Sequence, residues 1–263
     1  MASIVPKFLD CVVAIGVSDN NGNKHWIGTG FLFGYHTDKD KENEYSVYLV
    51  TNKHVLRGQE EINILFNPKG NQAAKSYSYV IVKSGNKIYK EHPLQEVDVA
   101  VVPINAKALS AAGIDVQMFL YPGECYTVSE MGAESFMEGD GVYALGFPMG
   151  IIGTNRQYVI LRGGYIARIR DLIDGYSSDF IIDTFVFPGN SGGPVVIRPA
   201  LGAIQGTTPH TQSKLIGLVK SYIPYKDVAI SPQTNRPRVV FEENTGLTIV
   251  EPVDHIIEAI EKG

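Results

Sequence analysis

The chain runs in short apolar stretches, each broken within a few residues by Gly, Asn, Asp or Pro and each rich in β-branched and aromatic side chains. Punctuation of this kind does not build long helices; it suits strands joined by turns. The pattern predicts strands over residues 11–17, 28–34, 45–51, 62–66, 77–83, 99–104, 141–145, 158–168, 180–184, 194–197, 215–221 and 248–250. So many strands at such spacing point to a sandwich or a pair of barrels, because antiparallel sheets of that size normally close to remove their edges. The fold class is therefore all-β. Two helices are expected as well. Residues 105–112 are Ala-rich, and residues 252–262 open on Pro252 and carry Val253, Ile256, Ile257 and Ile260 at amphipathic spacing, a stripe that predicts packing on the body of the protein. Polar loops at 36–44, 67–76 and 199–214, and a long irregular segment at 223–246, read as surface insertions.

With 44% hydrophobic and 19% charged residues in 263, the chain has apolar material for a full core, which excludes a disordered or fibrous protein. Lys and Arg number 23 against 28 acidic residues, a net charge of -5. Nothing in that balance drives counterion release from a phosphate backbone, so nucleic acid is not an expected partner. Cys11 and Cys125 stand far apart with no ligand spacing around them; reduced thiols are expected, with no metal and no cofactor. The start of the sequence lacks the signature of a leader peptide, and no window reaches the roughly 18 apolar residues of a membrane span. A cytoplasmic protein without membrane contact is the expectation.

Chemistry concentrates in Phe187-Pro188-Gly189-Asn190-Ser191-Gly192-Gly193-Pro194. A serine among three glycines lies in a turn where backbone can approach a bound group without interference from Cβ. Such a turn can aim amides at an oxygen that gains charge in a tetrahedral intermediate. The stretch Gly189, Asn190 and Ser191 is the expected oxyanion hole, with the amides of Gly189 and Ser191 as its donors. A serine hydroxyl is a poor nucleophile and needs a base, which in turn needs an orienting group. His54 follows the strongly apolar run Tyr48-Leu49-Val50-Thr51, and Asp98 opens the apolar run Val99-Ala100-Val101-Val102. An ionised carboxylate there is costly unless it has a partner, and an imidazolium is one. Taken singly, each residue also fits a structural role; the joint pattern carries the functional reading.

The order His54, Asp98, Ser191 within the segments GTGFLFG, LVTNKHV, VDVAVV, GDGVYALGFP and PGNSGGPVV resembles trypsin-like serine proteases of the chymotrypsin fold, and looks closest to the bacterial HtrA-like branch. The similarity runs over residues 28–221. It implies a single protease domain of two antiparallel six-stranded β-barrels with a C-terminal α-helix: an N-terminal barrel over residues 8–105, a connector over 106–135, a C-terminal barrel over 136–251 and the helix over 252–262. By the same resemblance His54 is general base and then acid, Asp98 fixes its tautomer, and Ser191 attacks the scissile carbonyl to form an acyl-enzyme. The substrate, a protein or peptide, is expected to add as a strand beside residues 215–221.

Departures from the family matter equally. Digestive members carry an Asp before the nucleophile that captures a newly cut N-terminus; Asn190 stands here, so that route of activation is not expected. HtrA-like proteins usually continue into a PDZ domain, and none fits after Gly246. The pocket floor, six residues before the nucleophile, is Phe185 beside Thr184 and Val186, which favours an apolar P1 residue. Lys220, in Val219-Lys220-Ser221 near the pocket wall, leaves an acidic P1 residue as the alternative, although a lysine on an alternating strand more often faces solvent. Two other readings stay open: an inactive module of this fold used for binding or scaffolding, and a protease latent until a regulatory protein partner orders its loops.

Overall fold

Helix α1 (Pro6–Asp10) leads into a meander of β1 (Val12–Ser18), β2 (Lys24–His36) and β3 (Tyr45–Thr51), each strand rich in buried β-branched or aromatic residues. The computed structural model describes residues 4–37, 44–200, 202, 207 and 209–263, so the expected loops 36–44 and 199–214 fall partly outside the described residues. A single helical turn, α2 (Lys53–Leu56), follows β3 directly. The first half continues with β4 (Glu61–Phe66), β5 (Lys75–Val80), the two-residue strands β6 (Val82–Lys83), β7 (Asn86–Lys87) and β8 (Lys90–Glu91), and β9 (Ala100–Pro103). A connecting region holds α3 (Ala106–Ala111), β10 (Phe119–Tyr121) and α4 (Val128–Ala133). The second half comprises β11 (Gly141–Gly146), β12 (Ile160–Arg168), α5 (Arg170–Ile173), β13 (Phe180–Asp183), β14 (Pro194–Ile197), β15 (Leu215–Ile230), β16 (Pro237–Pro252) and α6 (Val253–Lys262).

Strands of the second half close into a barrel in the order β11-β12-β13-β16-β15-β14. Closure of the first half into the expected six-stranded barrel is not shown. Among the described residues this half is an 8-stranded sheet, β5-β4-β1-β2-β3-β9-β8, with β10 added parallel to β2, and its two ends stay unpaired. Between β5 and β9 the chain is paired piecemeal: the Ile81 and Val82 amides donate to Glu60, the Ile88 amide to Ile81, β6 pairs β7 as a separate hairpin, and β8 pairs β9. Strand β8 is left too short to bridge to β5.

The two halves share a core in which Phe31, Phe33 and Phe119 of the sheet meet Leu215 and Leu218 of the barrel and Ile256 of α6. Helix α6 buries Val253, Ile256, Ala259 and Ile260 along the apolar stripe seen in the sequence. A second correction concerns residues 223–246, expected to be irregular. Strands β15 and β16 run on past the barrel as a two-stranded ribbon, pairing Pro224 with Asn244 and Ile230 with Pro237. No described helix is long and apolar enough to cross a membrane.

Candidate active site

Strand β3 delivers the first side chain. Its buried end, Thr51, is followed by extended Asn52, and the one-turn α2 then buries Lys53, Val55 and Leu56 and leaves His54 as the residue that faces out. Burial of Lys53 is satisfied by donation from Nζ to the Leu94 carbonyl at 2.6 Å. Asp98 lies between the buried Val97 and Val99 just ahead of β9. Oδ2 of Asp98 accepts from Nδ1 of His54 at 2.5 Å, and Oδ1 accepts from the His54 amide at 3.1 Å. An ionised carboxylate can only accept, so Nδ1 carries the proton and Nε2 is the ring's remaining acceptor. The pair is graded in exposure, 43% for the imidazole and 19% for the carboxylate. Burial pushes the Asp98 carboxyl up, but hydrogen bonds and charge from His54, with the charge of Lys220, outweigh it and hold the group below the ordinary carboxylate value.

The serine turn hangs between β13 and β14. Asn190 is nearly fully buried and folds back on the turn: its Oδ1 accepts from the Phe187 amide at 3.1 Å and its own amide donates to the Phe187 carbonyl at 2.9 Å. The Gly192 amide donates to Val219 and the Gly193 amide to Asn190. Among the described residues this leaves the amides of Gly189 and Ser191 without an acceptor, whereas that of Asn190 is taken. The Pro188 carbonyl accepts from the Met149 amide at 2.6 Å. A trans peptide sets N–H opposite C=O, so the Gly189 N–H points away from the Met149 loop. Gly189 has φ +98°, and a Cβ there would collide with the Phe147 carbonyl.

Ser191 and His54 come from different halves of the molecule. The Ser191 carbonyl accepts from the Thr29 amide at 3.0 Å, and Gly192 packs so tightly on Thr51 that a Cβ would strike its Oγ1. The turn therefore rests on the strand end from which His54 follows three residues later. Among the described residues neither Ser191 Oγ nor His54 Nε2 has a hydrogen-bond partner. His54 is thus joined by a hydrogen bond to Asp98 and not to Ser191.

The pocket residues sort themselves. Thr184 is buried, and its Oγ1 donates to the Asp183 carbonyl. Phe185 is half exposed, its ring lying over Gly246. Val219 is buried and exchanges both backbone hydrogen bonds with the Gly192-Gly193 segment. Lys220 neither faces solvent nor lies free for an acidic side chain: Nζ is 2.9 Å from Glu251 Oε1 and 3.5 Å from Asp179 Oδ2, and it donates to the Glu96 carbonyl at 2.9 Å. Burial lowers its pKa, but the hydrogen bond and charge of Glu251, with Asp179, outweigh burial and raise it. Ser221, next along, is exposed. The expected substrate edge also needs correction. Gly217 and Leu218 are already paired on both sides, with β14 and with β16, Leu215 is paired with β14, and Val219 is bonded to Gly192 and Gly193, so the β14 side of β15 opens only from Lys220 onward.

Three contributors escaped the sequence reading. Thr29 Oγ1 donates to the Gly189 carbonyl at 2.6 Å and accepts from the Phe147 amide at 3.0 Å. Asn52 Nδ2 donates to the Asp98 carbonyl at 2.7 Å. Glu251 accepts from the Asp98 amide at 2.9 Å. The signal for Glu251 was present: a carboxylate between the apolar pairs Ile249-Val250 and Pro252-Val253 demands a partner just as Asp98 does. Among the described residues no group of three or more His, Cys, Asp or Glu side chains is arranged to hold a metal ion.

Comparison with known proteins bears on this arrangement. A family model for the trypsin-like peptidase domain matches residues 28–199, the span from Thr29's strand through the serine turn. A search of curated proteins returns no match.

Proposed function

This chain belongs to the trypsin-like peptidase domain family, and from that premise we propose that it is a serine endopeptidase with His54, Asp98 and Ser191 as its triad. The observation that carries the reading is the 2.5 Å bond from His54 Nδ1 to a carboxylate, which leaves Nε2 as the base. In the proposed cycle the substrate lies extended along the open edge of β15 from Lys220. Nε2 takes the Ser191 hydroxyl proton as Oγ attacks the scissile carbonyl, and Asp98 stabilises the imidazolium that forms. The amides of Gly189 and Ser191 receive the oxyanion. His54 then returns the proton to the leaving amine, and water, deprotonated by the same nitrogen, releases the acyl group. Phe185 offers the P1 side chain an apolar surface, and with Lys220 engaged by Glu251 an apolar P1 residue is favoured over an acidic one.

Peptide hydrolysis by a Ser191→Ala variant tests the reading. Loss of the nucleophile is expected to lower kcat on the order of 10⁴- to 10⁶-fold, the scale seen when one member of such a unit is removed. A serine-directed phosphonate should label the wild type and not the variant. A wild-type rate in Ser191→Ala rejects the proposal, and a folded wild type that stays unlabelled even with partners present favours a scaffold without turnover.

A further inference from the structure

Asp98 sits on a stretch with no ladder of its own. Between β8 and β9, residues 92–99 lie outside any strand, so their backbone groups need other partners. Side chains from elsewhere supply several. Lys53 Nζ donates to the Leu94 carbonyl and Lys220 Nζ to the Glu96 carbonyl, while within the stretch His92 Nδ1 accepts from the Leu94 amide at 3.2 Å. Asp98 itself is gripped on both sides, its carbonyl by Asn52 and its amide by Glu251.

Glu251 is the unusual member. Its side chain is 1% exposed and stands at the end of β16, in the opposite half of the molecule from His54. Oε1 takes the Asp98 amide and Lys220 Nζ, both at 2.9 Å, and Oε2 lies 2.6 Å from His255 Nδ1. A buried carboxylate is tolerable only with a counter-charge and full hydrogen bonding, and Lys220 provides the charge. Burial pushes the Glu251 carboxyl up, but His255, the Asp98 amide and Lys220 together hold it below its ordinary value. The pair Lys220 and Glu251 thus reaches from β15 and β16 of the closed barrel to residues 96 and 98 of the other half.

We propose that Glu251, with Lys220 as its counter-charge, is a positioning residue: its carboxylate fixes the main chain of Asp98 and thereby sets where the His54 imidazole stands. The inference rests on the triad reading above. It assigns the buried ion pair to orienting the base, and it removes Lys220 from substrate recognition.

The test compares Glu251→Gln, Glu251→Met and the double variant Glu251→Met/Lys220→Met. The single Met change strands Lys220 and can prevent folding; the double variant replaces the whole pair with apolar groups, a change that proteins often tolerate. Two quantities are read in folded protein: kcat and KM on a peptide, and the downfield NMR resonance of the His54 Nδ1 proton, identified by its loss in His54→Gln. Misplacing the base should lower kcat roughly 10- to 100-fold, with KM little changed, and should shift or broaden the resonance in the double variant. Glu251→Gln keeps an oxygen on the Asp98 amide and should retain the resonance and most of the turnover. Wild-type kcat and an unmoved resonance in the double variant overturn the proposal, as does a loss confined to thermal stability. The resonance also separates the two readings: if Ser191→Ala hydrolyses peptide at the wild-type rate, the protease reading fails while the His54 signal still decides the role of Glu251.

Discussion

Gly189 shows how one residue type is imposed by the site around it. Its φ of +98° is one that L side chains rarely adopt, and the Phe147 carbonyl occupies the space a Cβ would need. Both obstacles act on the peptide that carries a free amide. Gly189→Ala should therefore rotate or displace that peptide, and the expected loss is about 10²- to 10³-fold in kcat, the scale for removing one oxyanion donor. KM should move less, while the strained φ and the collision with the Phe147 carbonyl should also lower thermal stability. Steady-state kinetics with a thermal melt check this, and an unchanged kcat would mean that the amide takes no part. At this scale the sequence separated residues by kind. His54 and Asp98 stand where apolar runs end or begin, and the fold brings them into contact. Thr29 and Asn52 gave no comparable signal, because a hydroxyl or an amide beside a strand is ordinary until its partners are known. Cys11 and Cys125 are free and buried, and burial pushes both thiols up, which suits packing and not reactivity.

Among the elements, those built on buried apolar runs were the most readable. Strands β3, β4, β9, β11, β13 and β14 fall close to the spans their apolar runs predict, and α6 follows its stripe. Helix α4 was missed although its start carries a capping box, Thr127 with Glu130; six residues are too short for a periodic signal. The ribbon made by the outer parts of β15 and β16 failed for a different reason. Residues 225–230 and 237–243 are exposed on both faces, so no alternation marks them, even though Tyr225, Val228, Ile230, Val239, Val240 and Phe241 have strong strand preference. An element that buries so little should add little to the stability of the barrel. Replacing residues 226–242 by a tight turn between Tyr225 and Glu243, which are already paired, should leave the unfolding free energy within about 0.5 kcal/mol of wild type. Chemical denaturation measures it. A larger fall would show that the ribbon braces the barrel through contacts its exposure does not suggest.

For the molecule as a whole, the candidate site belongs to neither half alone. His54, Asp98 and Asn52 come from the open sheet, while Ser191, Lys220 and Glu251 come from the closed barrel. The sequence pattern marked strands in both halves but not whether their end strands meet, because pairing such as that of β6 with β7 leaves no periodicity to read. What joins the halves at the serine turn is Thr29. Its amide holds the Ser191 carbonyl, its hydroxyl bridges the Gly189 carbonyl and the Phe147 amide, and its own carbonyl accepts from Thr51 Oγ1 at 2.8 Å. Thr29→Val keeps the shape and the main-chain bonds but orphans two buried backbone groups, at a cost of about 1 to 3 kcal/mol each. The melting temperature should fall in a single transition, since the shared core of Phe31, Phe119 and Leu218 still couples the halves. The kcat should fall with it, because the Gly189 carbonyl loses the hydroxyl that holds its peptide in place. Two separate transitions in calorimetry would show that the halves unfold independently, and an unchanged kcat would show that the turn keeps its geometry without the tether.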